Sequence, residues 1–389
     1  MPSLRDKLRA TSSTRNRSAE RIKPAPQDCY VREMRFPLLN MRLSLPEGIL
    51  PLMQGDKSLP ERMDPEQFLF LDTETTGLSR GAGTVAFLVG VGYIRKQELI
   101  VRQYLMRDYD EECFVLRHVI KHFEDSSALV TFNGRAFDIP LLQSRCIMQR
   151  MRADLSSFPH VDLLHTARRV WKLRLPSCRL SALEEHIYNE PRIDDLPGAE
   201  VPQRYFDYLK THDFSLLEDI LKHNAQDIAT LVRLLYTLSD LHENPMSAEH
   251  VQDIFSLGRV YEKRGRHQTA RACYRAADAG SMSAMSRERL AYCLSRDQKP
   301  QEAARIYEKM IASHQCGARP YIALSKILEH KLKDIKAAAE IARRGLLYLS
   351  DRSLTDPKEQ ATFNDLTRRY ARLLTKLRVQ AENQETVDK

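Results

Sequence analysis

A run of four apolar residues that ends in two carboxylates is the feature that most limits how this chain can fold. The run covers 68–71, and Asp72 and Glu74 follow it one residue apart. Strand side chains alternate between two faces, so both acids point the same way at the end of a buried strand. Such a pair is costly to desolvate without a cation, and its hard oxygen atoms favour Mg²⁺ or Mn²⁺ over zinc. The same spacing also fits a strand end and polar turn with both acids in water.

The composition narrows the class of protein. The 389 residues suggest two or three domains, and a hydrophobic content of 42% is enough for ordinary cores. The chain has no run of 18 apolar residues, so we expect no transmembrane helix and no membrane partner. The N-terminus lacks the apolar region of a secretory signal. The seven cysteines are scattered without a C-x-x-C pair, which favours reduced thiols in a cytoplasm over a zinc or disulfide framework.

The net charge of +8 is unevenly distributed along the chain. Residues 241–389 hold 27 Lys and Arg against 19 Asp and Glu, whereas residues 66–240 hold 21 against 25. An acidic centre between basic flanks fits a carboxylate site whose flanks guide a polyanion. Ordinary solvated surface charge gives similar values.

Residues 66–240 carry the alternating signals of an α/β domain. The predicted strands cover 67–72, 84–94, 98–105 and 128–132, with 161–164 either a fifth strand or a helix start. The predicted helices cover 113–123, 137–151, 163–172, 180–188, 203–210 and 214–239. The other predicted parts are a disordered basic arm at 1–29, a Pro-containing extension packed on the α/β domain at 30–65, a linker at 241–248, helical repeats at 249–350, and a closing helix and tail at 351–389.

The repeats follow from a pattern of apolar and small residues that recurs 33 residues later and again 34 residues after that. The first copy has Leu257, Gly258, Tyr261, Ala270, Tyr274 and Ala277. Small residues at the Gly and Ala positions allow two helices to approach closely. The pattern resembles tetratricopeptide repeats, whose period is 34, and also fits a generic bundle of helical hairpins.

Two further acidic elements complete a candidate site. Asp138 follows the predicted strand 128–132 after a turn at Gly134, and it falls in the first turn of a helix, where it could also serve as a simple cap. His223 and Asp227 lie four residues apart on one face of the long predicted helix. Acids on a strand end, a helix start and a late helix can converge across an α/β sheet.

The order D-x-E, N-x-x-x-F-D and H-x-x-x-D resembles the DEDD superfamily of 3′–5′ exonucleases. The surrounding sequence is closer to the YprB-like ribonuclease H-like family, whose members often carry tetratricopeptide repeats after the nuclease-like domain. The segments that carry this second resemblance are 160–165, 168–172, 177–180 and 194–198. The resemblance implies an α/β ribonuclease H-like domain, with a mixed five-stranded sheet and flanking helices, followed by an all-α tetratricopeptide-like repeat domain.

The resemblance also implies a two-metal phosphodiesterase that acts on DNA or RNA. Two divalent cations, Mg²⁺ or Mn²⁺, would be bound by a four-carboxylate set, with His223 as the base that takes the proton of the attacking water. The implied metal ligands are Asp72, Glu74, Asp138 and Asp227. The implied substrate-binding residues are Thr75, Thr76, Gly77, Asn133 and Phe137. The repeats would bind a protein partner.

His223 departs from the pattern of the superfamily. Its histidine subgroup places the base five residues before the last aspartate, and its tyrosine subgroup places a tyrosine four before. His223 stands at the tyrosine spacing, which moves it by about 100° around the helix. Two other functions fit the sequence: a nucleic-acid-binding adaptor with weak or no cleavage, and a structure-specific endonuclease.

A basic series surrounds the one tryptophan. Arg168, Arg169, Lys172, Arg174 and Arg179 lie near Trp171. They could grip phosphates while the ring stacks on a base, or they could be a solvated helix face over a buried ring. Asp162, between His160 and His165, could be an accessory ligand or the cap of the following helix.

Overall fold

A six-stranded mixed sheet forms the centre of the structure within the described residues. The computed structural model describes residues 28–38, 43–77, 83–193, 196–313, 317–350 and 356–387. The strands are β1 (Tyr30–Pro37), β2 (Phe68–Thr75), β3 (Ala86–Arg95), β4 (Glu98–Leu105), β5 (Ala128–Thr131) and β6 (His160–Asp162). Their order across the sheet is β1-β4-β3-β2-β5-β6. Strands β2, β5 and β6 are parallel, and the other neighbours are antiparallel.

The predicted mixed sheet with flanking helices is confirmed, but the prediction of five strands was wrong. The extra strand is β1, which lies in the segment predicted as a Pro-containing extension and pairs with β4 along all eight residues. Its side chains alternate between half-buried and exposed, as an edge strand requires. Pro37 stands at its last position, where a missing N–H is tolerated. The predicted arm at 1–29 lies outside the described residues except for Asp28 and Cys29, and Cys29 is buried.

Seven helices accompany the sheet within the described residues. They are α1 (Ile49–Gln54), α2 (Glu112–Glu124), α3 (Asp138–Met148), α4 (Leu163–Trp171), α5 (Leu180–Tyr188), α6 (Val201–Thr211) and α7 (Ser215–Glu243). The segment 161–164 was predicted as either a fifth strand or a helix start. It contains both, since β6 ends at Asp162 and α4 begins at the next residue. The Asp162 side chain accepts a hydrogen bond from the backbone N–H of Leu164, so the predicted cap is confirmed.

The period of two along β2 divides the core into two layers. Phe68 and Phe70 join a cluster with Ile228 of α7, whereas Leu69 and Leu71 join a second cluster with residues of α2. Helix α7 crosses β2, β3 and β4. It comes close because β3 has glycines beneath it: a Cβ on Gly92 would lie 2.4 Å from Cγ2 of Ile228.

The C-terminal region is helical, and its helices pack in chain order. They are α8 (Val251–Lys263), α9 (His267–Ala276), α10 (Ser283–Arg296), α11 (Pro300–Ala312), α12 (Arg319–Ile327), α13 (Ile335–Ser350) and α14 (Pro357–Val387). A π-helical turn, Leu328–Leu332, follows α12. Helix α14 lies within the predicted closing helix and tail and extends to Val387. Helix α7 ends three residues inside the predicted linker, and a short 3₁₀ helix, Pro245–Ser247, follows it.

The sheet region and the helical region share one hydrophobic cluster. It runs from Leu38 through Trp171 and Tyr261 to Leu373. At the junction, α4 packs on α8, and Arg174 donates two hydrogen bonds to the buried Asp253 carboxylate at 3.0 and 3.1 Å. The two regions are therefore held together by apolar packing and a buried ion pair. Among the helices of the described ranges, none offers the length and apolar character that a membrane crossing requires.

We expect Arg174→Met to lower the free energy of unfolding by about 3 kcal/mol, because it leaves the Asp253 carboxylate buried and uncompensated. The double variant Arg174→Met/Asp253→Leu should recover much of this loss. Arg204→Met is the matched control, since the Arg204–Asp219 pair is exposed and should contribute less than about 1 kcal/mol. Urea unfolding measures all three, and equal losses in the two single variants would contradict the assignment.

Candidate functional site

The predicted acidic residues gather at one edge of the sheet. Parallel strands place their carboxyl ends at the same edge, so the last residues of β2, β5 and β6 lie together. Asp72 and Glu74 are on β2, and Asp138 begins the helix that follows β5. Helix α7 brings His223 and Asp227 over the same edge. Burial and the negative charges of Asp227, Glu74 and Asp138 raise the pKa of Asp72 well above its usual range.

Asp72 is held by an asparagine from helix α7. The Asn224 amide donates to Oδ2 of Asp72 at 2.9 Å and to its backbone carbonyl at 3.3 Å. Gln103 on β4 donates in turn to Oδ1 of Asn224 at 2.9 Å, which fixes the amide orientation. Gly90 on β3 is the residue paired with Asp72 on β2. A Cβ on Gly90 would lie 2.1 Å from Oδ1 of Asn224. The glycine therefore makes room for the residue that orients Asp72.

Asp138 is held by the neighbouring residue on β2. Thr73 points to the opposite face from Asp72 and donates its hydroxyl hydrogen to Oδ1 of Asp138 at 2.5 Å. The position of Asp138 at the start of α3 also favours its negative charge. Burial outweighs both effects and raises the pKa of Asp138 to about 6. The carboxyl end of strand β2 thus has one positioned carboxylate on each of its two faces.

The turn before Asp138 is built differently from the prediction. The residue in the left-handed region is Asn133, with φ of 71°, rather than Gly134. Gly134 is required for space instead, since a Cβ there would lie 2.5 Å from Oγ1 of Thr131. The Asp162 carboxylate accepts from the backbone N–H of Asn133 at 2.9 Å and of Arg135 at 3.2 Å. Asp162 therefore supports this turn as well as capping α4.

Asp227 has a cationic neighbour that the sequence did not predict. Arg192, from the segment after α5, donates to Oδ1 of Asp227 and forms an ion pair with the buried Glu184. Thr230 also donates to Oε1 of Glu184, which accepts from Arg192 as well. Burial raises the pKa of Asp227, while His223 and Arg192 oppose this effect. One oxygen of Asp227 is thus committed to an arginine of the same chain.

His223 lies between two carboxylates and Arg192. Its Nε2 is 3.5 Å from Oδ2 of Asp227 and 3.9 Å from Oε1 of Glu74. Its Nδ1 is 3.3 Å from Nη1 of Arg192, which can donate to it. A ring that accepts from Arg192 at Nδ1 carries its proton on Nε2, facing the acids. In this arrangement His223 bridges the charges of the site and does not offer Nε2 as a proton acceptor.

The residues predicted to bind substrate lie at the same edge of the sheet. The Thr75 hydroxyl donates to the carbonyl of Gly77 at 2.8 Å, and Oγ1 of Thr76 accepts from the backbone N–H of Val85 at 3.0 Å. These two hydroxyls therefore stabilise the strand end. Phe137 has 45% of its surface exposed beside Asp138. Among the predicted contacts, it offers an apolar face to a ligand.

No three of the four predicted metal ligands, all described in the structure, bring their oxygens within 4.8 Å of one another. The set in the described ranges that does is Asp28, Cys29 and His118. Burial raises the pKa of the Cys29 thiol to about 12, so a metal bound there would have to displace the thiol proton.

The chemistry of the donor set fits a divalent cation. Asp72, Glu74 and Asp138 provide hard oxygen atoms, which Mg²⁺ and Mn²⁺ prefer. Burial, and then repulsion by Asp227, Glu74 and Asp138, raises the pKa of Asp72 although Asn224 donates a hydrogen bond to it. A cation beside Asp72 would remove that repulsion. At Asp227, in contrast, Arg192 already supplies a positive charge.

Some basic residues near Trp171 form contacts within the fold, and the others are exposed at the surface. Trp171 is 1% exposed, so of the two alternatives for its ring, burial agrees with the structure and stacking on a base does not. Arg174 pairs with Asp253, and Arg169 donates to the backbone carbonyl of Met53. Arg168, Lys172 and Arg179 are exposed.

Comparison with known proteins places the site in a family context. Residues 69–239 match the family model described as the RNase_H superfamily. Residues 69–239 form an RNase H-like domain. The chain is 29% identical over 346 residues to the uncharacterized protein YprB of Bacillus subtilis (strain 168), an alignment that covers 85% of this chain and 83% of that protein.

Two polymerases also show similarity. Over 220 residues the chain is 24% identical to a DNA polymerase of Pyrococcus glycovorans, which covers 49% of this chain and 25% of the polymerase. Among solved structures, the family B DNA polymerase from the hyperthermophilic archaeon Pyrobaculum calidifontis aligns with a TM-score of 0.34 and 16% identity. That alignment covers 51% of this chain and 29% of the polymerase chain.

The sequence analysis identified the acidic residues that meet in the RNase H-like domain, but it did not identify the residues that hold their side chains in place. Asn224 stands inside the motif that supplied His223 and Asp227, and its position one residue after His223 turns it toward β2. Gly90 stands in a strand of otherwise apolar residues, where a glycine signals close approach of another backbone or side chain. Arg192 gave no local signal, since its partners are 8 and 35 residues away.

We expect Asp138→Asn to stabilise the fold at pH 7 in EDTA. The pKa of Asp138 is raised from 3.8 to about 6, so the folded state binds the proton more tightly and loses stability as pH rises through this interval. Removing the charge should raise the free energy of unfolding by up to about 3 kcal/mol at pH 7, with no gain below pH 3.8. Urea unfolding at both pH values measures it.

The same unfolding experiment with added Mg²⁺ tests whether Asp138 binds a metal ion or is only a buried acid with a raised pKa. Mg²⁺ should stabilise the parent protein more than Asp138→Asn, since a ligand that binds only the folded state adds to its stability. A variant that is less stable than the parent at pH 7 without Mg²⁺ would contradict the assignment.

Proposed function

We propose that the chain is a divalent-cation-dependent phosphodiesterase that hydrolyses nucleic acid from a 3′ end, in the manner of DEDD exonucleases. The observation that carries the proposal is the group of mutually repelling carboxylates around Asp72 at the carboxyl edge of β2. The RNase H-like domain supports it, because this superfamily generally uses divalent metals. The similarity to a DNA polymerase supports nucleic acid as the substrate.

The protein's part in the reaction is to fix the charges before substrate arrives. Asn224 and Thr73 hold the Asp72 and Asp138 carboxylates, so little reorganisation is needed when a phosphodiester binds. Bound divalent cations would supply Lewis-acid stabilisation of the charge that develops on the phosphate. We propose that Phe137 packs against the terminal nucleotide and that the turn at Asn133, together with Thr75, Thr76 and Gly77, borders its phosphate.

Arg192 limits how many cations the site can hold. Burial and the neighbouring carboxylates raise the pKa of Asp72, and we assign the first cation to the carboxylates around Asp72. A second cation, as the four-carboxylate set predicts, requires Arg192 to release Asp227, because both positive charges would share one carboxylate. The same movement frees Nδ1 of His223 and allows the imidazole to act as a base. Two-metal catalysis and the use of His223 as a base therefore both depend on the displacement of Arg192 from Asp227.

The Arg192 contact also favours a second candidate function. With Arg192 in place, one cation remains and His223 offers no accepting nitrogen to a water. A protein in that state would bind nucleic acid and cleave it weakly or not at all. A structure-specific endonuclease would use the same carboxylates with a more open approach to the site.

We further propose that the three hairpins α8–α9, α10–α11 and α12–α13 are tetratricopeptide-like repeats with a protein partner. Their support is the placement of small residues where paired helices touch. A Cβ on Gly258 would lie 2.9 Å from the Cβ of Cys273, and the equivalent Ser325 donates its hydroxyl to the carbonyl of Ala338 in the paired helix. The proposed domain boundaries remain 66–240 and 249–350.

We expect Asp72→Asn to lower Mn²⁺-dependent degradation of labelled oligonucleotides by more than about 100-fold, since it removes a charge at the centre of the carboxylate group. Asn224→Ala should have an intermediate effect, about 10- to 100-fold, because it loosens Asp72 without removing it. Asp219→Asn, on the exposed face of the same helix, is the control and should keep the parent's activity. If Asp72→Asn cleaves as fast as the parent, the site is wrong.

We expect Glu184→Gln/Arg192→Gln to tighten the weaker of two Mn²⁺ sites by at least about tenfold, because it removes the cation that competes for Asp227. The double change avoids leaving either charge buried alone. Electron paramagnetic resonance of free Mn²⁺ gives the number and affinity of the sites independently of activity. An unchanged titration would show that Arg192 is only part of a structural ion pair.

A further inference from the structure

A strip of positive charge crosses the junction between the RNase H-like domain and the helical region. On α4 and its C-terminal cap residue Lys172, three basic residues follow His165 at separations of three, four and seven, so all four share one face. The other two are Arg168 and Arg169. On α8, Ser256, Arg259, Val260 and Lys263 follow the same spacing. Because α4 packs against α8, these two faces form the walls of one groove.

The groove consists of two adjoining cavities. One, of about 690 Å³, lies between α4 and α8 and is lined by Arg168, Lys172, Arg259 and Lys263 among others. The other, of about 600 Å³, shares Arg168 and Lys172 and continues to Arg179 and Asn133. Asn133 belongs to the turn that places Asp138. The basic groove, as we call these two cavities with their cations, therefore leads from the helical region to the turn beside the carboxylate site.

Four exposed cations of the basic groove have no carboxylate partner among the described residues. Arg168, Lys172, Arg259 and Lys263 are exposed, and none forms an ion pair with a carboxylate of the described residues. Neither cavity has an Asp or Glu among its described lining residues. Deeper in the wall, burial and the nearby charge of Arg264 lower the pKa of Arg169. Like charges gathered on two packed helices repel each other, so an anionic ligand that spans both helices would relieve the repulsion.

We propose that the basic groove binds the phosphate backbone of the nucleic acid whose end lies at the carboxylate site, so that the first helical hairpin is part of the substrate-binding surface. This inference rests on the proposed function for the identity of the polyanion. Trp171 is buried, and the charged side chains in the described lining of both cavities are all basic, so we expect contacts with phosphates and binding that is independent of base sequence. The position of the groove makes α8 a nucleic-acid contact in addition to any role in protein binding.

The test uses Arg259→Gln/Lys263→Gln, which removes two cations from the helical side only. Binding of a fluorescein-labelled oligonucleotide, single-stranded and duplex, is followed by anisotropy in EDTA between about 50 and 200 mM salt. We expect binding to weaken about tenfold and the slope of log K against log salt to fall by about 1.4 to 1.8, since each lost phosphate contact removes roughly 0.7 to 0.9.

Arg305→Gln/Lys309→Gln is the matched control. These two residues lie at the same spacing on α11, are exposed, and are outside the lining of both cavities. The control should keep the parent's affinity and slope. If the groove variant and the parent have equal affinity and slope, the proposal that the basic groove binds nucleic acid is wrong, whatever the cleavage activity.

The outcomes also separate this inference from the proposed function. Groove-dependent binding by a parent protein that cleaves nothing with Mn²⁺ supports the basic groove and rejects the phosphodiesterase. A parent protein that binds none of the oligonucleotides rejects both. Cleavage by the groove variant that falls more steeply with rising salt than cleavage by the parent supports the groove as a binding surface distinct from the chemical centre.

Discussion

Repulsion among carboxylates at the end of β2 is the constraint on which the rest of the site depends. A folded protein does not gather buried negative charge without fixing it, since each acid would otherwise turn toward water or take up a proton. Asn224 fixes Asp72 from one face of the strand, and Thr73 fixes Asp138 from the other. The alternation of side chains along a single strand thus organises two carboxylates from two different elements.

The close contact of α7 with the sheet follows from the same requirement. Asn224 reaches Asp72 only because Gly90 leaves space on the neighbouring strand, and Gly92 does the same for Ile228 two residues along. A longer side chain at either position would lift the helix and carry His223 and Asp227 away from the edge. Two glycines in an apolar strand therefore set the distance between the acids of the sheet and those of the helix.

The sequence predicted what depends on local patterns and missed what depends on distant contacts. Apolar periodicity located β2 to β5 and helices α2 to α7 but missed α1, and the spacing of Asp72, Glu74, Asp138 and Asp227 identified the acidic edge. Strand β1 was missed because its charged side chains and terminal proline suit an edge strand, whose signal is weak in a sequence. Arg192 was missed for a different reason: an ion pair across 35 residues has no periodicity.

The junction between the two regions connects the negative site to the positive groove. Helix α4 is shared by both, because its inner face carries Trp171 into the common core and its outer face carries Arg168 and Lys172. The Arg174–Asp253 pair beside it limits sliding of α8 along α4, since a buried ion pair tolerates little change in geometry. A loose linker would let the two basic faces separate and would leave each helix with a charge density too low to hold a strand of phosphates. The shared core therefore bears on the proposed binding of nucleic acid as well as on stability, because it keeps cations of the helical region at a fixed distance from the carboxylates around Asp72.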